Sequence, residues 1–563
     1  MQRCSSALGP SLRLGLAISI ALASACDSSR PAPSAAAPAA PSSVAAKASP
    51  LAQSAPAAPR VVVALVFDQL GSDTLRSHLD LLDPKGAIRR AVDSGVFLER
   101  SAYAYANTLT APGHVTVHTG APPISSGIEG NSIWDTAHAR ALGVVDDPAR
   151  LVFGREADGL GASPTRLRVP TVAHALRIAT SGAAKIISLS LKDRSAILSV
   201  GTAADLVLWY DTKLGAFTSS PVWGPALPEW LARYQQAHPI RELLVPWTAE
   251  RPDEYRARLG ADAAPGEGDL AGFGVTFPHG FEAVATPLSV LSCTPMLSEY
   301  LVALTETAAR EQHLAEDAVP DLIALSISGT DSAGHIFGPG SWEYWDHLIR
   351  ADRAVGAWLS RLEQSGPIAV LITSDHGASP LPETRQAPAG RLSPPALQRR
   401  LEQALATHYG AGPWVSGILT PFVYLSEAAR RHPARAQLLD VARAALLEDP
   451  ALRDAWALDR VRAFGDGDPT ERALRLSVAP DDEADLMFLA RPYYPIDLRD
   501  PPQRGTNHGT PYDYDRQVPV LAFGAGVPHR RSAEPVDQMR VAATLAHLLG
   551  IAPPPSAAPG ALF

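Results

Sequence analysis

The chain has 563 residues with 49 Lys and Arg against 58 Asp and Glu, a formal net charge of −9. That length can bury a large core, which excludes a small disulfide-stapled scaffold, and leaves room for one large α/β domain with insertions or for two domains. No long run of either charge sign is present, which excludes a basic nucleic-acid surface.

Arg3 and Arg13 precede an apolar run from Leu14 to Leu22, and Ala23-Ser24-Ala25-Cys26 closes it with small residues. This is the layout of a bacterial export signal over residues 1–26, and its apolar run is too short for a comfortable membrane span. Cys26 after small residues resembles a lipoprotein signal, in which that Cys becomes lipidated and anchors the protein to a membrane. Ordinary cleavage near Ala25 would release a free product instead. Either route leads to the periplasm or cell envelope. Residues 27–59 are nearly all Ala, Pro and Ser, with too few large apolar groups to offset the entropy of ordering, and are expected to form a flexible tether. With Cys4 removed and Cys26 acylated, Cys293 has no disulfide partner and is expected as a buried small hydrophobe.

Folded structure is expected over residues 60–563. Val61–Phe67 is a continuous apolar run, as in a strand buried on both faces, and it ends at Asp68. Alternation follows: a helix over 171–180, strands over 184–191 and 205–210, a helix over 297–311, a strand over 321–328, a helix over 342–364, and strands over 368–374 and 518–523. This order predicts an α/β fold, a mainly parallel central sheet sandwiched by helices, with ligands at the carboxyl ends of the strands. Two regions break the alternation. Residues 219–286, rich in Pro, Gly, Trp and charge, are expected as an insertion over the sheet edge. Residues 386–494 carry their own helices and a strand at Ile418–Leu425, enough for an inserted cap.

The chemistry concentrates at strand ends. Asp68 follows the first strand, Asp331 and His335 stand four apart in Gly-Thr-Asp-Ser-Ala-Gly-His, Asp375-His376-Gly377 follows another strand, and His508 lies in Thr-Asn-His-Gly. Alone, each has an ordinary explanation: an Asp at a strand end caps the next helix, and an Asp-His pair in a loop is solvated. Thr110 in Thr-Ala-Pro-Gly-His likewise reads by itself as a helix N-cap. Together they form a set of carboxylate and imidazole donors suited to a divalent metal pair. His114 and His118 read as supports for the helix after Thr110, and His78, His138, His174, His347 and His547 as surface or packing residues.

This order of motifs resembles the alkaline phosphatase superfamily, and within it the type I phosphodiesterase/nucleotide pyrophosphatase branch. The resemblance implies an alkaline-phosphatase-like fold holding two Zn²⁺, with other divalent metals such as Mn²⁺ or Fe as alternatives. It assigns Asp68, Thr110, Asp375 and His376 to one metal and Asp331, His335 and His508 to the other. Asn131 in Gly-Asn-Ser-Ile-Trp-Asp and the Lys192-Asp193-Arg194 segment further resemble the phosphate-irrepressible, PafA-like alkaline phosphatases. There the Asn, Lys and Arg contact the non-bridging phosphoryl oxygens. Two extra cations favour a monoester, which carries one more negative charge than a diester. The expected function is hydrolysis of small phosphate monoesters through a phosphothreonine at Thr110; Thr108 stands two residues too early for the motif. A phosphodiesterase or nucleotide pyrophosphatase on the same metals is the alternative, and a non-catalytic, ligand-binding surface lipoprotein is the rival from another class. A sulfatase would need a formylglycine motif, and Cys293 stands in none.

Overall fold

Val61–Phe67 lies at the centre of a ten-stranded sheet, with all seven residues buried. The computed structural model describes residues 58–386 and 388–563. The export signal, Cys26 and all but the last two residues of the 27–59 tether lie outside the described residues. Along the sheet the strands run Arg530–Ser532, Val96–Ala102, Gln517–Gly524, Ile368–Thr373, Val61–Phe67, Asp321–Ile327, Ile186–Ser190, Leu206–Asp211 and Ala216–Thr218, and Val536–Asp537 adds to Val96–Ala102. The five strands from Ile368–Thr373 to Leu206–Asp211 are mutually parallel, while Gln517–Gly524 and Ala216–Thr218 pair antiparallel.

Successive side chains of a strand point to opposite faces, which requires apolar residues throughout when both faces are covered. Val61, Val63, Leu65 and Phe67 enter a cluster with Leu297, Leu301, Trp345 and Leu359 of the helices Pro295–Glu311 and Trp342–Leu362. Val62, Ala64 and Val66 enter the opposite cluster with Val115, Leu176, Ile197 and Leu545, from four further helices.

The segment 219–286 covers the sheet edge through one side chain. Gln235, in the helix Glu229–Ala237, accepts from the Phe217 amide at 2.6 Å and donates to its carbonyl at 3.3 Å, closing an otherwise open strand. Most of the segment lies beyond the edge, on the helical layer: Trp247 Nε1 and the Glu250 amide both donate to Asp346. Residues 392–496 carry their own apolar cluster. Its four-stranded antiparallel sheet runs Val415–Leu419, Phe422–Leu425, Leu486–Ala490, Leu452–Ala457. The single strand expected at Ile418–Leu425 is instead a hairpin. It breaks at Thr420–Pro421, where the proline has no N–H for a ladder.

Candidate active site

Three adjacent parallel strands end side by side and deliver the acids. Asp68 leaves Val61–Phe67, and Asp375 and His376 leave Ile368–Thr373. Asp331 and His335 follow Asp321–Ile327 on the helix Gly329–Phe337, where an i,i+4 spacing puts both on one face. His508 arrives on the loop before Gln517–Gly524, and Thr110 opens the helix Thr110–Thr119. Asp68, Thr110, Asp331, Asp375, His376 and His508 are all buried.

From His376 Nε2 the distances are 3.5 Å to Asp68 Oδ1, 3.4 Å to Asp375 Oδ2 and 3.5 Å to Thr110 Oγ1. Donors at 2.0–2.1 Å around a tetrahedral zinc stand about 3.3–3.4 Å apart, so this spacing suits one such ion. Asp68 Oδ1 and Asp375 Oδ2 are buried without a hydrogen-bond partner, a condition that a cation relieves. Beside them, Asp331 Oδ1 lies 3.1 Å from His335 Nε2 and 3.6 Å from His508 Nε2. His376 is within reach of both groups, its ring stacked 3.5 Å from that of His508. The geometry therefore gathers all seven residues without itself dividing them into two sets.

Each histidine is oriented in the same way. The Nδ1 atoms of His335, His376 and His508 lie 3.0, 3.0 and 2.7 Å from the carbonyls of Thr506, Gly377 and Thr108. A carbonyl can only accept, so each Nδ1 carries a proton and each Nε2 points inward, the atom that metal-ligating histidines offer. Burial holds His376 neutral, pushing its pKa down to about 3, and lowers that of His508. This donor set fits a pair of divalent cations.

Thr110 occupies the first helical position and Leu109 the N-cap, so the expected Thr110 cap is corrected. Asn131 caps instead, its Oδ1 accepting the Ala111 amide at 2.9 Å. With that oxygen engaged, the Asn131 NH₂ is the group left to meet a ligand. The Thr108 hydroxyl donates to the Thr510 carbonyl at 3.1 Å, which leaves Thr110 as the hydroxyl facing the acids.

Lys192 Nζ lies 2.6 Å from Asp68 Oδ2, 2.5 Å from Asp331 Oδ2 and 3.5 Å from Thr110 Oγ1, bridging the two groups of donors. Burial works against its charge, and Asp331 and Asp68 outweigh burial to hold its pKa above the usual lysine value. Arg194, in the first turn of the following helix, lines a cavity of about 300 Å³ together with Thr110, Asn131 and His508. Of the two insertions, the second reaches this cavity, through Ile418–Phe422.

Two neighbours complete the site. His114 supports it rather than joining the cluster, with Nδ1 2.9 Å from the Thr110 carbonyl and Nε2 2.9 Å from Ser326 Oγ. Gln69 escaped sequence reasoning. Its amide donates to Asp375 Oδ1 at 3.2 Å and its Nε2 to Asp331 Oδ1 at 2.6 Å. It holds φ of 69°, a left-handed conformation unusual outside glycine, and adjacency to Asp68 was the one signal available.

Residues 62–434 match the family model described as type I phosphodiesterase / nucleotide pyrophosphatase. Alkaline phosphatase PhoV of Synechococcus elongatus is 33% identical over 60% of this chain and 62% of its own length. Alkaline phosphatase PafA of Elizabethkingia meningoseptica is 25% identical over 88% of this chain and 92% of its own. A crystal structure of wild type alkaline phosphatase PafA aligns with a TM-score of 0.83 at 24% identity, covering 90% of this chain and 98% of that one, and shows the same fold.

Proposed function

This chain belongs to the type I phosphodiesterase/nucleotide pyrophosphatase family, and from that premise we propose that it is an alkaline phosphatase hydrolysing small phosphate monoesters through a phosphothreonine at Thr110. The observation that carries the monoester preference is the pair of cations at the nucleophile. Lys192 Nζ stands 3.5 Å from Thr110 Oγ1 and Arg194 lines the same cavity, more positive charge than a diester's single anionic oxygen calls for. Asp68, Thr110, Asp375 and His376 would hold one divalent cation and Asp331, His335 and His508 a second, zinc by donor type, and such ions would supply positive charge to the reacting oxygens.

Thr110 Oγ1 attacks phosphorus in line and the alcohol departs; water then cleaves the phosphothreonine and regenerates the hydroxyl. Asn131, Lys192 and Arg194 donate hydrogen bonds to the equatorial phosphoryl oxygens, where charge resides throughout transfer. Of the first-turn amides, that of Ala111 is engaged by Asn131 and that of Gly113 by the Leu109 carbonyl, and Pro112 has none. The Thr110 amide and the helix dipole therefore act on the phosphoryl group together with the side chains. Cations held by Asp68 and Asp331 would neutralise the two carboxylates that Lys192 pairs with, leaving its ammonium for the phosphoryl oxygens. The export-signal layout of residues 1–26 supports a location in the periplasm or cell envelope.

Rates on phenyl phosphate and methyl phenyl phosphate test the proposal. The monoester is expected to be preferred, and Lys192→Ala to lower kcat/KM on it by tenfold or more while sparing the diester. A wild-type preference for the diester overturns the monoester assignment in favour of a phosphodiesterase.

A further inference from the structure

Resting on that phosphomonoesterase activity, we infer that the second insertion and the segment just after it build a leaving-group subsite for aryl groups and alkyl chains longer than methyl. The cavity over Thr110 has two unlike sides. Apart from Thr420 on the hairpin, its polar residues belong to the reacting centre or stand close to it in the chain, among them Asn131 and Ser132 on one segment, Asn507 beside His508, and Arg194. Its apolar residues come from Leu109 and from two stretches remote from the metal motifs, the hairpin carrying Ile418, Leu419 and Phe422 and the segment carrying Ile496 and Leu498.

That wall is fixed in place. Phe422 is buried in a cluster with Leu458 and Val461, against which Leu419 packs. Asn507 Nδ2 donates to the Ile496 carbonyl at 3.0 Å, tying the segment to the loop that carries His508. Asp497, held by Arg499 at 2.8 Å, fixes the turn beyond it. Leu498 remains 73% exposed at the rim, one of three large hydrophobic residues so placed among the described residues. An exposed Leu continuous with a walled apolar cavity gains by contact with an apolar ligand.

Charge points the same way. Arg194 is the only Lys or Arg among the cavity-lining residues, and Glu129 lines the cavity as well. With Arg194 committed to the phosphoryl oxygens and Asp331 to metal, an anionic leaving group such as a second phosphate meets no further Lys or Arg and faces the carboxyl group of Glu129. A neutral ring or alkyl chain meets apolar contact.

Phenylphosphonate and methylphosphonate, which carry the same charge and are not hydrolysed, read this subsite as competitive inhibitors. In the wild type, phenylphosphonate is expected to bind at least about tenfold tighter, the worth of a methylene or more in an apolar pocket. In Leu419→Ser/Leu498→Ser, two partly exposed positions outside the reacting centre, that ratio is expected to fall below about threefold. The methylphosphonate constant and the rate on methyl phosphate should stay within twofold. Equal binding of the two phosphonates by wild type, an unchanged ratio in the variant, or inhibition by pyrophosphate stronger than by phenylphosphonate would each overturn the inference. A wild type that hydrolyses neither phenyl nor methyl phosphate would overturn the proposed activity itself. Hydrolysis of both with a phosphonate ratio of one removes only the subsite.

Discussion

Replacing Gly113 by Ala separates catalysis from stability at a defined point. Gly113 is one turn into the helix that Thr110 opens. A methyl carbon there would lie 2.6 Å from Asp375 Cβ and closer still to the Asp375 carbonyl oxygen. Carbon atoms in contact stand about 3.5–4.0 Å apart, so helix and loop must part by about 1 Å. The overpacking costs about 1–3 kcal/mol, while Ala in place of Gly within a helix returns about 1 kcal/mol, so the net loss of stability is about 0–2 kcal/mol. The effect on the reaction is larger. Thr110 rides on the moving helix and Asp375 on the opposing loop, and about 1 Å of misplacement at a reacting centre is worth about 100-fold in rate. Steady-state kinetics on phenyl phosphate with metal content and thermal melts on the same preparations would measure both. Gly467→Ala, at a glycine with no heavy atom within 4 Å of the added carbon, is the control. A Gly113→Ala enzyme within threefold of wild-type kcat/KM would refute the reasoning.

Thr110→Ala is expected to lower kcat by about a thousandfold or more. Thr108→Ala, which removes one hydroxyl bond to the Thr510 carbonyl, should lower stability by about 1 kcal/mol and leave kcat within threefold; the reverse pattern in the same assay would move the nucleophile to Thr108. Chelation should abolish activity and lower the melting midpoint, with Zn²⁺ restoring both. In Lys192→Ala the gap between loaded and chelated midpoints should widen, because Asp68 and Asp331 lose the ammonium that bridges them, and stranding buried charge costs about 3–5 kcal/mol; equal gaps in differential scanning fluorimetry would contradict that. Burial pushes the His347 pKa down to about 3. The unfolded chain titrates near 6.5, so between these values it holds the extra proton and stability falls with pH, by about 2 kcal/mol at pH 5. His347→Gln should remove that share of the acid loss in urea titrations at pH 7 and 5, and parallel profiles for the two proteins would exclude it.

Strands buried on both faces declared themselves as unbroken apolar runs, which is why Val61–Phe67, Asp321–Ile327 and Ile368–Thr373 were legible to within a residue or two. The donors were legible for a related reason, since each stands just beyond such a run. Less visible was whatever depends on the partner of a side chain. Nothing local says that Asn131 caps the helix of Thr110 from 20 residues away, nor that Lys192 bridges two carboxylates. Gln69 carries no motif, and its role follows from a backbone conformation. The insertions were visible as breaks in alternation but not in detail, because the hairpin at Thr420–Pro421 looks like one apolar run until its pairing partners are known.

The central position of Val61–Phe67 has a consequence for how the molecule is made. Its neighbours in the sheet begin at Asp321 and Ile368, 260 and 307 residues further along the chain. At about 5–20 residues per second of synthesis, the most apolar strand of the protein waits roughly 13–50 s without either partner. During that interval it is an unpaired β-segment with no charge to protect it, the kind of sequence that associates with other chains. The strand that organises the finished site is thus also the nascent chain's main aggregation hazard, and its productive burial depends on delaying collapse until the middle of the polypeptide has emerged.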